Sequence, residues 1–507
     1  MGLGLMKILI DTNIISHREA SINIIEDIDT LFYWIENLHY TKCVHPISLE
    51  CFNKHPDSKI KKTIEKQLGK YYLLIPIPFG EQLKNISKEF DKCENDINDT
   101  ILLNELFIGR VDLFVTEEKR IKQKATLLNL HSKVLSIDAF LEKVVAENPG
   151  FVDYKALVIK KEYFENIDIK SSFFKSLKQD YLEFDKWFEK KRGEIAYICK
   201  SDQNLLAFLY LKIEIETEDY SDISPRFDRK KRLKIGTFKV ALNGFGLGER
   251  FLKIIFESAI IHNVDEIYLS LYKKNIEQLR LINLLQEFGF ILHGFKASIN
   301  GNEHIYVRKL NRIVSRISSK STYPFISTLG KFYIIPVCSE YHAELFSDHI
   351  LSCESPIDFE ENDPFRNVIS KVYISSLPLK GNPKSGDILI FCSIKRNKSG
   401  LITTIGIVEK IINRIKLEEE FIPLYHKRFI LTESQFSDHY KYKANSSQVL
   451  INFLQYSLPK KVTIKRLIQI GLINKKESTL KNFMRISKED FKILLKECQV
   501  DESLIIN

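Results

Sequence analysis

The chain is short of the features that would assign it quickly. Its eight cysteines (Cys43, Cys51, Cys93, Cys199, Cys338, Cys353, Cys392, Cys498) are scattered and form no CxxC pair. That argues against a zinc ribbon or a dithiol redox motif and for reduced thiols. No window approaches the roughly 18 uninterrupted apolar residues that would span a membrane. The N-terminus lacks the basic start, apolar core and small-residue cleavage site of a secretory signal. A cytoplasmic location is expected. Internal repeats and long low-complexity tracts are also missing, which argues against solenoids and disordered scaffolds. Charge of one sign is only modestly in excess: 75 basic against 66 acidic residues, a net +9. A nucleic-acid partner is permitted but not required. Dense basic runs occur at 226–234 (RFDRKKRLK) and 458–466 (LPKKVTIKR), and a mixed-sign run at 117–124 (EEKRIKQK). A solvated face is the simplest reading of each.

With 507 residues and 44% hydrophobic composition, the chain suits about three globular domains. Two stretches look like joints: AENPGFVDY at 146–154 and the basic, Ser-rich NRIVSRISSKSTYP at 311–324. They divide the chain into 1–147, 151–310 and 320–507.

The first part alternates strand and helix patterns, as a parallel sheet with helices on its faces requires. The stretch KILI runs into Asp11, and DTILLNELFIG reads as a short helix opened by Asp99 and closed by Gly109. Acids stand at element ends: Asp11 after the first strand, Glu50 after HPISL, Asp99 before its helix, Glu118 after VDLFVT. Strand C-terminal ends share one edge of a parallel sheet, where ligands collect. Converging carboxylates repel, and a hard divalent cation, Mg²⁺ or Mn²⁺, relieves that repulsion and can activate water on a phosphodiester. Asp96 competes with Asp99 for the third position, and Glu117 with Glu118 for the fourth. Taken singly, each acid could be a turn, cap or surface residue.

The set KILIDTNII…SLE…NDTILLNELFIGRVDLFVTEE…VLSIDAFLE, spanning 6–145, resembles PIN-domain nucleases. The resemblance implies Asp11, Glu50, Asp99 and Glu118 as metal-binding acids, with Asn13 and Thr116 in support. The family's final acid is usually Asp, and here Glu stands there.

The second part carries NGFGLGERF. Its spacing, Gly244, Gly246, Gly248, does not fit a dinucleotide fingerprint. Glycines at a strand-to-helix turn let backbone amides approach phosphates; a tight turn without ligand is the alternative. Over 155–310 the chain resembles GNAT acetyltransferases, on NGFGLG and on LSLYKKNIEQLRLINLLQEFGF. The resemblance implies that Phe245, Gly246, Leu247 and Gly248 face the pyrophosphate of acetyl-CoA, with Val240 on the preceding strand and Asn275 beside the pantetheine arm. Asn243 replaces the usual Arg or Gln, and Leu285 stands where a Tyr is common. Glu214, Glu216 and Tyr272 are candidates for proton transfer, though KIEIETE reads more simply as a solvent-facing alternation.

The third part is richer in strands. KSGDILIFCSIKRNKSGLITTIGIVEKI resembles PUA-like barrels of the ASCH/EVE type, which implies RNA or modified-nucleotide binding. Lys395, Arg396 and Lys398 share one loop there, and Tyr440 and Tyr442 could stack on bases. Lys460, Lys461, Lys465 and Arg466 mark a basic segment, and Ser487 with Asp490 reads as a capping box.

The fold expected is therefore multidomain α/β: a PIN-like parallel sheet with flanking helices, a GNAT-like mixed sheet, and a PUA-like β-barrel with a helical tail. The expected function is a metal-dependent ribonuclease with an acetyl-CoA-binding module and an RNA-binding module. Family habits point to a toxin or defence protein with RNA (tRNA included) as target and an antitoxin as partner. The alternatives are an acetyltransferase with a vestigial first domain, and a non-catalytic scaffold.

Overall fold

The computed structural model describes residues 6–15, 26–53, 68–147, 159–201, 204–241, 246–310, 318–338, 342, 345–346, 368–375, 383–394, 400–413, 449–473 and 483–506. Two compact units result, one built on Met1–Val152, the other on Asp153–Val240, Gly246–Phe421 and Tyr425–Asn507. The second and third parts expected from sequence share the second unit.

The first unit is a five-stranded parallel sheet. Its elements are β1 (Lys7–Ile10), α1 (Glu26–Asn37), β2 (Thr41–Val44), α2 (Pro46–Asn53), β3 (Tyr72–Leu73), α3 (Glu81–Phe90), α4 (Glu94–Phe107), β4 (Leu113–Val115), α5 (Lys119–Leu127), β5 (Val134–Leu135) and α6 (Ile137–Glu147). The strand order is β3-β2-β1-β4-β5, every pair parallel. Ile8, Leu9, Ile10, Phe114 and Val115 are fully buried, as expected for strands covered on both faces. The order reverses between β1 and β4, so the edge beside Asp11 and Thr116 is the crevice such a sheet offers a ligand. Gly109, at φ +75, ends α4 with its N–H on the Leu106 carbonyl at 3.1 Å, the cap expected from sequence.

The second unit begins with an eight-stranded sheet: β6 (Ile159–Tyr163), β7 (Ile195–Ser201), β8 (Asn204–Glu214), β9 (Ile223–Ser224), β10 (Arg232–Val240), β11 (Glu266–Leu271), β12 (Ile291–Ser298) and β13 (Gly301–Lys309). The order is β6-β7-β8-β10-β11-β13-β12-β9. Every contact is antiparallel except β10 with β11. Helices α7 (Lys175–Asp180) and α8 (Phe184–Glu189) connect β6 to β7, α9 (Leu247–Ile261) connects β10 to β11, and α10 (Ile276–Glu287) leads to β12.

The joint expected at 311–324 is not simply a polar linker. Ser318 caps a short helix, α11 (Ser319–Thr322), and the next residue, Tyr323, is buried. Its ring meets Phe256 at 5.5 Å and Phe288 at 6.3 Å, and its hydroxyl donates to the Gln455 carbonyl at 3.0 Å.

Beyond it come β14 (Ile326–Ser327), β15 (Phe332–Cys338), β16 (Ser370–Ser375), β17 (Ile388–Ile394), β18 (Gly400–Asn413), β19 (Val449–Thr463), α12 (Ile464–Gln469), β20 (Met484–Ile486), α13 (Lys488–Glu497) and β21 (Ile505–Ile506). Six of these strands form a sheet in the order β16-β19-β18-β17-β15-β20, and β14 pairs with β21. Among the described residues β16 and β20 are the open edges, so the barrel closure expected from sequence is not among the pairings. Ser487 and Asp490 form the expected capping box on α13.

Candidate functional site

Two places gather chemistry-bearing groups, one in each unit.

In the first unit β1 ends in Asp11, whose N–H continues the ladder onto the Val115 carbonyl at 3.0 Å. The chain turns helical at Thr12. Asp11 is only 3% exposed. The Thr116 hydroxyl donates to one carboxylate oxygen and the Asn13 N–H to the other, the latter at 3.2 Å. Asn13 Nδ2 donates to Glu118 at 3.2 Å, and the Glu118 N–H donates to Thr116 Oγ1 at 3.0 Å. Asn13 and Thr116 thus tie the two acids together through hydrogen bonds.

Asp99 completes the group. Burial, then the charges of Asp11 and Glu118, push its carboxyl up to about 7. Burial, with the Glu118 and Glu117 charges adding, pushes Asp11 up to about 6 against the hydrogen bonds from Thr116 and Asn13. Two buried carboxyls held above the usual carboxylate range by burial and by neighbouring acids make a place where positive charge would be favourable.

The paired alternatives stand in different surroundings. Asp96 faces elsewhere: the Lys92 N–H and the Arg120 guanidinium hold it down at about 2. Glu117 accepts from the Ile137 N–H at 2.9 Å, leaving Glu118 as the acid tied to Asn13. Two expectations need correction. Asp99 does not open its helix, because α4 starts five residues earlier at Glu94. Glu50 lies within α2 on its exposed side and is not among the charges that raise Asp11 or Asp99. Thr12 Oγ1 and Ser48 Oγ, 2.6 Å apart, connect α2 to the site instead. Among the described residues no three of His, Cys, Asp and Glu stand close enough, as placed, to hold a metal ion. The electrostatics fit a cation; the side-chain positions do not yet enclose one.

Sequence reasoning missed Lys124. It is 2% exposed, and its ammonium bonds Asp91, the Asp96 carbonyl and Thr100 Oγ1, the last two at 2.8 Å. Its charge opposes the rise at Asp99. Arg120 and Lys124, four apart, share one face of α5. That spacing was the available signal within a run read as solvated.

In the second unit β10 and β11 pair over only four residues, Arg232 to Ile235 against Glu266 to Leu269. A register shift between Ile235 and Thr237 then breaks the β10 ladder to β8. Past it β10 bonds only β8, and β11 bonds only β13. The two parallel strands therefore part, leaving a slot edged by unpaired backbone. At Gly236 a Cβ would stand 2.5 Å from the Tyr210 ring, so only glycine fits the bulge.

Val240 ends β10, and Phe245 lies outside the described residues. Gly246, at φ +63, is the N-cap of α9 and supplies no capping side chain. Both described glycines of the loop also have packing reasons. A Cβ on Gly246 would meet Val368 at 2.6 Å, and one on Gly248 would meet Leu284 at 2.7 Å. Leu247 is buried. Asn275 is the N-cap of α10, its side chain accepting from the Gln278 N–H at 2.9 Å in a full capping box.

Glu214 is not a free base. Burial pushes it up, but Lys234 and the Tyr268 and Tyr220 hydroxyls (2.7 and 3.0 Å) outweigh that and hold it below the usual range. Tyr272, just past β11, is buried, shares a hydrogen bond with Ser298 Oγ and stacks near Tyr181 at 5.3 Å. Lys395, Arg396, Lys398, Tyr440 and Tyr442 lie outside the described residues. Within the basic run at 226–234, Arg232 is buried on Glu266 at 2.9 Å and Lys230 pairs with the same carboxylate at 2.7 Å. Arg466 is paired with Glu497.

No family model matches the chain, and no curated protein does. Solved structures match parts of it. One is an ASCH protein of Zymomonas mobilis, crystallised as a point mutant: 14% identity, 33% of this chain, 96% of that one, TM-score 0.23. Another is the NatC complex bound to Gag peptide and CoA: 18% identity, 29% of this chain, 96% of that one, TM-score 0.21. A third is the IAA acetyltransferase of Bacillus cereus: 16% identity, 30% of this chain, 99% of that one, TM-score 0.21. Similarity at this level leaves the functional argument to the chain's own geometry. Among the described residues no helix is long and apolar enough to cross a membrane.

Proposed function

We propose that the second unit is an acyltransferase that takes its acyl group from acetyl-CoA and passes it to an amine. The observation that carries this reading is the parting of β10 from β11 at the Gly236 bulge. A slot with unpaired N–H and C=O groups on its walls suits the pantetheine arm, which carries amides of its own. Helix α9, begun by a glycine without a capping side chain, offers first-turn amides of Gly246, Leu247 and Gly248 to a pyrophosphate. Bound there, acetyl-CoA supplies a thioester carbonyl open to attack by an amine. With Glu214 occupied and Leu285 unable to donate, the Tyr272–Ser298 hydroxyl pair is the group in place to carry a proton at the end of β11. Asn275 acts through the cap that starts α10. The test is calorimetry of the full chain with CoA, followed by thiol release from acetyl-CoA with amine acceptors. A chain that binds no CoA refutes the reading.

A second reading rests on a separate observation, the raised carboxyls of Asp11 and Asp99, each under the charge of Glu118. On it the first unit binds Mg²⁺ or Mn²⁺ through these acids and cleaves RNA. The cation would supply charge stabilisation and an activated water. Asn13 and Thr116 would orient the carboxylates. RNA would be the substrate, and an antitoxin would be the natural restraint. Mn²⁺-dependent cleavage of an RNA pool that disappears in Asp11→Asn is the supporting result; no cleavage by the wild type removes this reading and leaves the first untouched.

A further inference from the structure

Glu249 sits in the first turn of α9, the turn that follows the glycine loop. An acid there favours the helix macrodipole, yet it also puts negative charge where an anionic ligand would need the amides. Its carboxylate reaches across to β16. It accepts the Ser370 N–H on one oxygen and the Ser370 hydroxyl on the other, both at 3.1 Å. Ser370 is the first residue of β16, 121 positions further along the chain, and both residues are buried. Lys320 adds charge from α11, with its ammonium 3.8 Å from Glu249, 3.1 Å from Glu287 at the end of α10, and 3.9 Å from Glu409 on β18. Val368, two residues before Ser370, packs where a Gly246 side chain would be.

We infer that Ser370 is a positioning residue. It turns the Glu249 carboxylate toward the C-terminal sheet, fixes the first turn of α9, and keeps that turn's amides available to an anion. The C-terminal sheet is then a working part of the transferase, not a separate RNA-binding appendage. The ligand half of this inference rests on the acyltransferase reading.

The test uses the full chain with Ser370→Ala, Ser370→Thr and Ser370→Ala combined with Glu249→Gln. Hydrogen exchange at residues 247–250, measured without ligand, reads the latch alone. Faster exchange in Ser370→Ala, restored in Ser370→Thr, supports it; unchanged exchange overturns it. Calorimetry with CoA then reads the consequence. A hydrogen bond to a charged group is strong enough that its loss should weaken CoA binding about tenfold or more. Adding Glu249→Gln should recover most of that loss, because the charge left with only the residue-370 N–H and Lys320 is gone. Pantetheine, which lacks the pyrophosphate, should bind the wild type and Ser370→Ala alike. Equal weakening toward CoA and pantetheine, or no recovery with Glu249→Gln, overturns the electrostatic role. A wild type that binds no CoA refutes the acyltransferase reading on its own, while the exchange measurement still decides the latch.

Discussion

Asp11→Asn should make the first unit more stable at neutral and alkaline pH, the reverse of what removing a buried hydrogen-bonded group usually does. The carboxyl of Asp11 is raised from an ordinary 3.8 to about 6 in the folded state. A folded-state value above the unfolded one means that the folded protein holds its proton longer. Below pH 3.8 both states are protonated and nothing is lost. As pH rises through about 6 the folded state must ionise a buried group beside Glu118, and stability falls by about 3 kcal/mol, about 1.36 for each pH unit of difference. Asparagine never ionises, so it avoids this cost. It surrenders one of the two acceptor oxygens, the one that faces Thr116 or the one that faces the Asn13 N–H, worth about 1 kcal/mol. A net gain of about 2 kcal/mol at pH 8, vanishing or reversing at pH 4, is expected. The assay is urea unfolding read by tryptophan fluorescence. The chain has two tryptophans: Trp34, buried in the first unit, and Trp187 in the second. In a Trp187→Phe background Trp34 alone reports the first unit. A wild type no less stable at pH 8 than at pH 4, together with an Asp11→Asn variant that gains nothing at pH 8, would refute the reasoning. Saturating Mg²⁺ or Mn²⁺ should stabilise the wild type at pH 8, by about 2.7 kcal/mol at a hundredfold excess over Kd, and leave Asp11→Asn unmoved.

Other outcomes follow from single contacts. Lys124→Met strands the Asp91 carboxylate, whose side chain is 3% exposed, and should cost the first unit about 3–5 kcal/mol by the same Trp34 readout. Gly236→Ala drives a methyl into the Tyr210 ring and should destabilise the second unit by about 1–3 kcal/mol; Trp187, 5.7 Å from that ring, is the reporter. Tyr323→Phe removes one hydrogen bond to the Gln455 carbonyl and should lower stability by about 1 kcal/mol in a thermal melt, with the aromatic packing kept.

The parallel sheet of the first unit was legible because its strands are apolar runs buried on both faces. Asp11 stands out in the sequence because it directly follows such a run, and Glu118 because it lies three residues past another. Glu50 was misplaced for a related reason: HPISLE contains a strand end and a helix start at once, and sequence gives no face for an acid four residues into a helix. Lys124 was hidden because charge runs are ordinarily solvated, and only the partners Asp91 and Thr100, far away in sequence, bury it. The glycines of the second part suggest either a ligand or a tight turn, and neither reading names their packing partners. Contacts of Gly246 with Val368 and Gly248 with Leu284 depend on tertiary packing that no local pattern records. The Tyr323 contact escaped notice because a Ser-rich, basic stretch has a linker's composition, and one aromatic residue at its end decides otherwise.

That tyrosine bears on how the protein can be divided. Phe256 is 1% and Phe288 0% exposed in the intact chain. A fragment ending at residue 310 would strip the cover from both rings and leave Glu249 without Ser370. Each ring uncovered is worth about 1.5–3 kcal/mol, a large share of the stability of a domain that size. The eight-stranded sheet and the C-terminal sheet should therefore melt together, as one cooperative body rather than as two interchangeable modules.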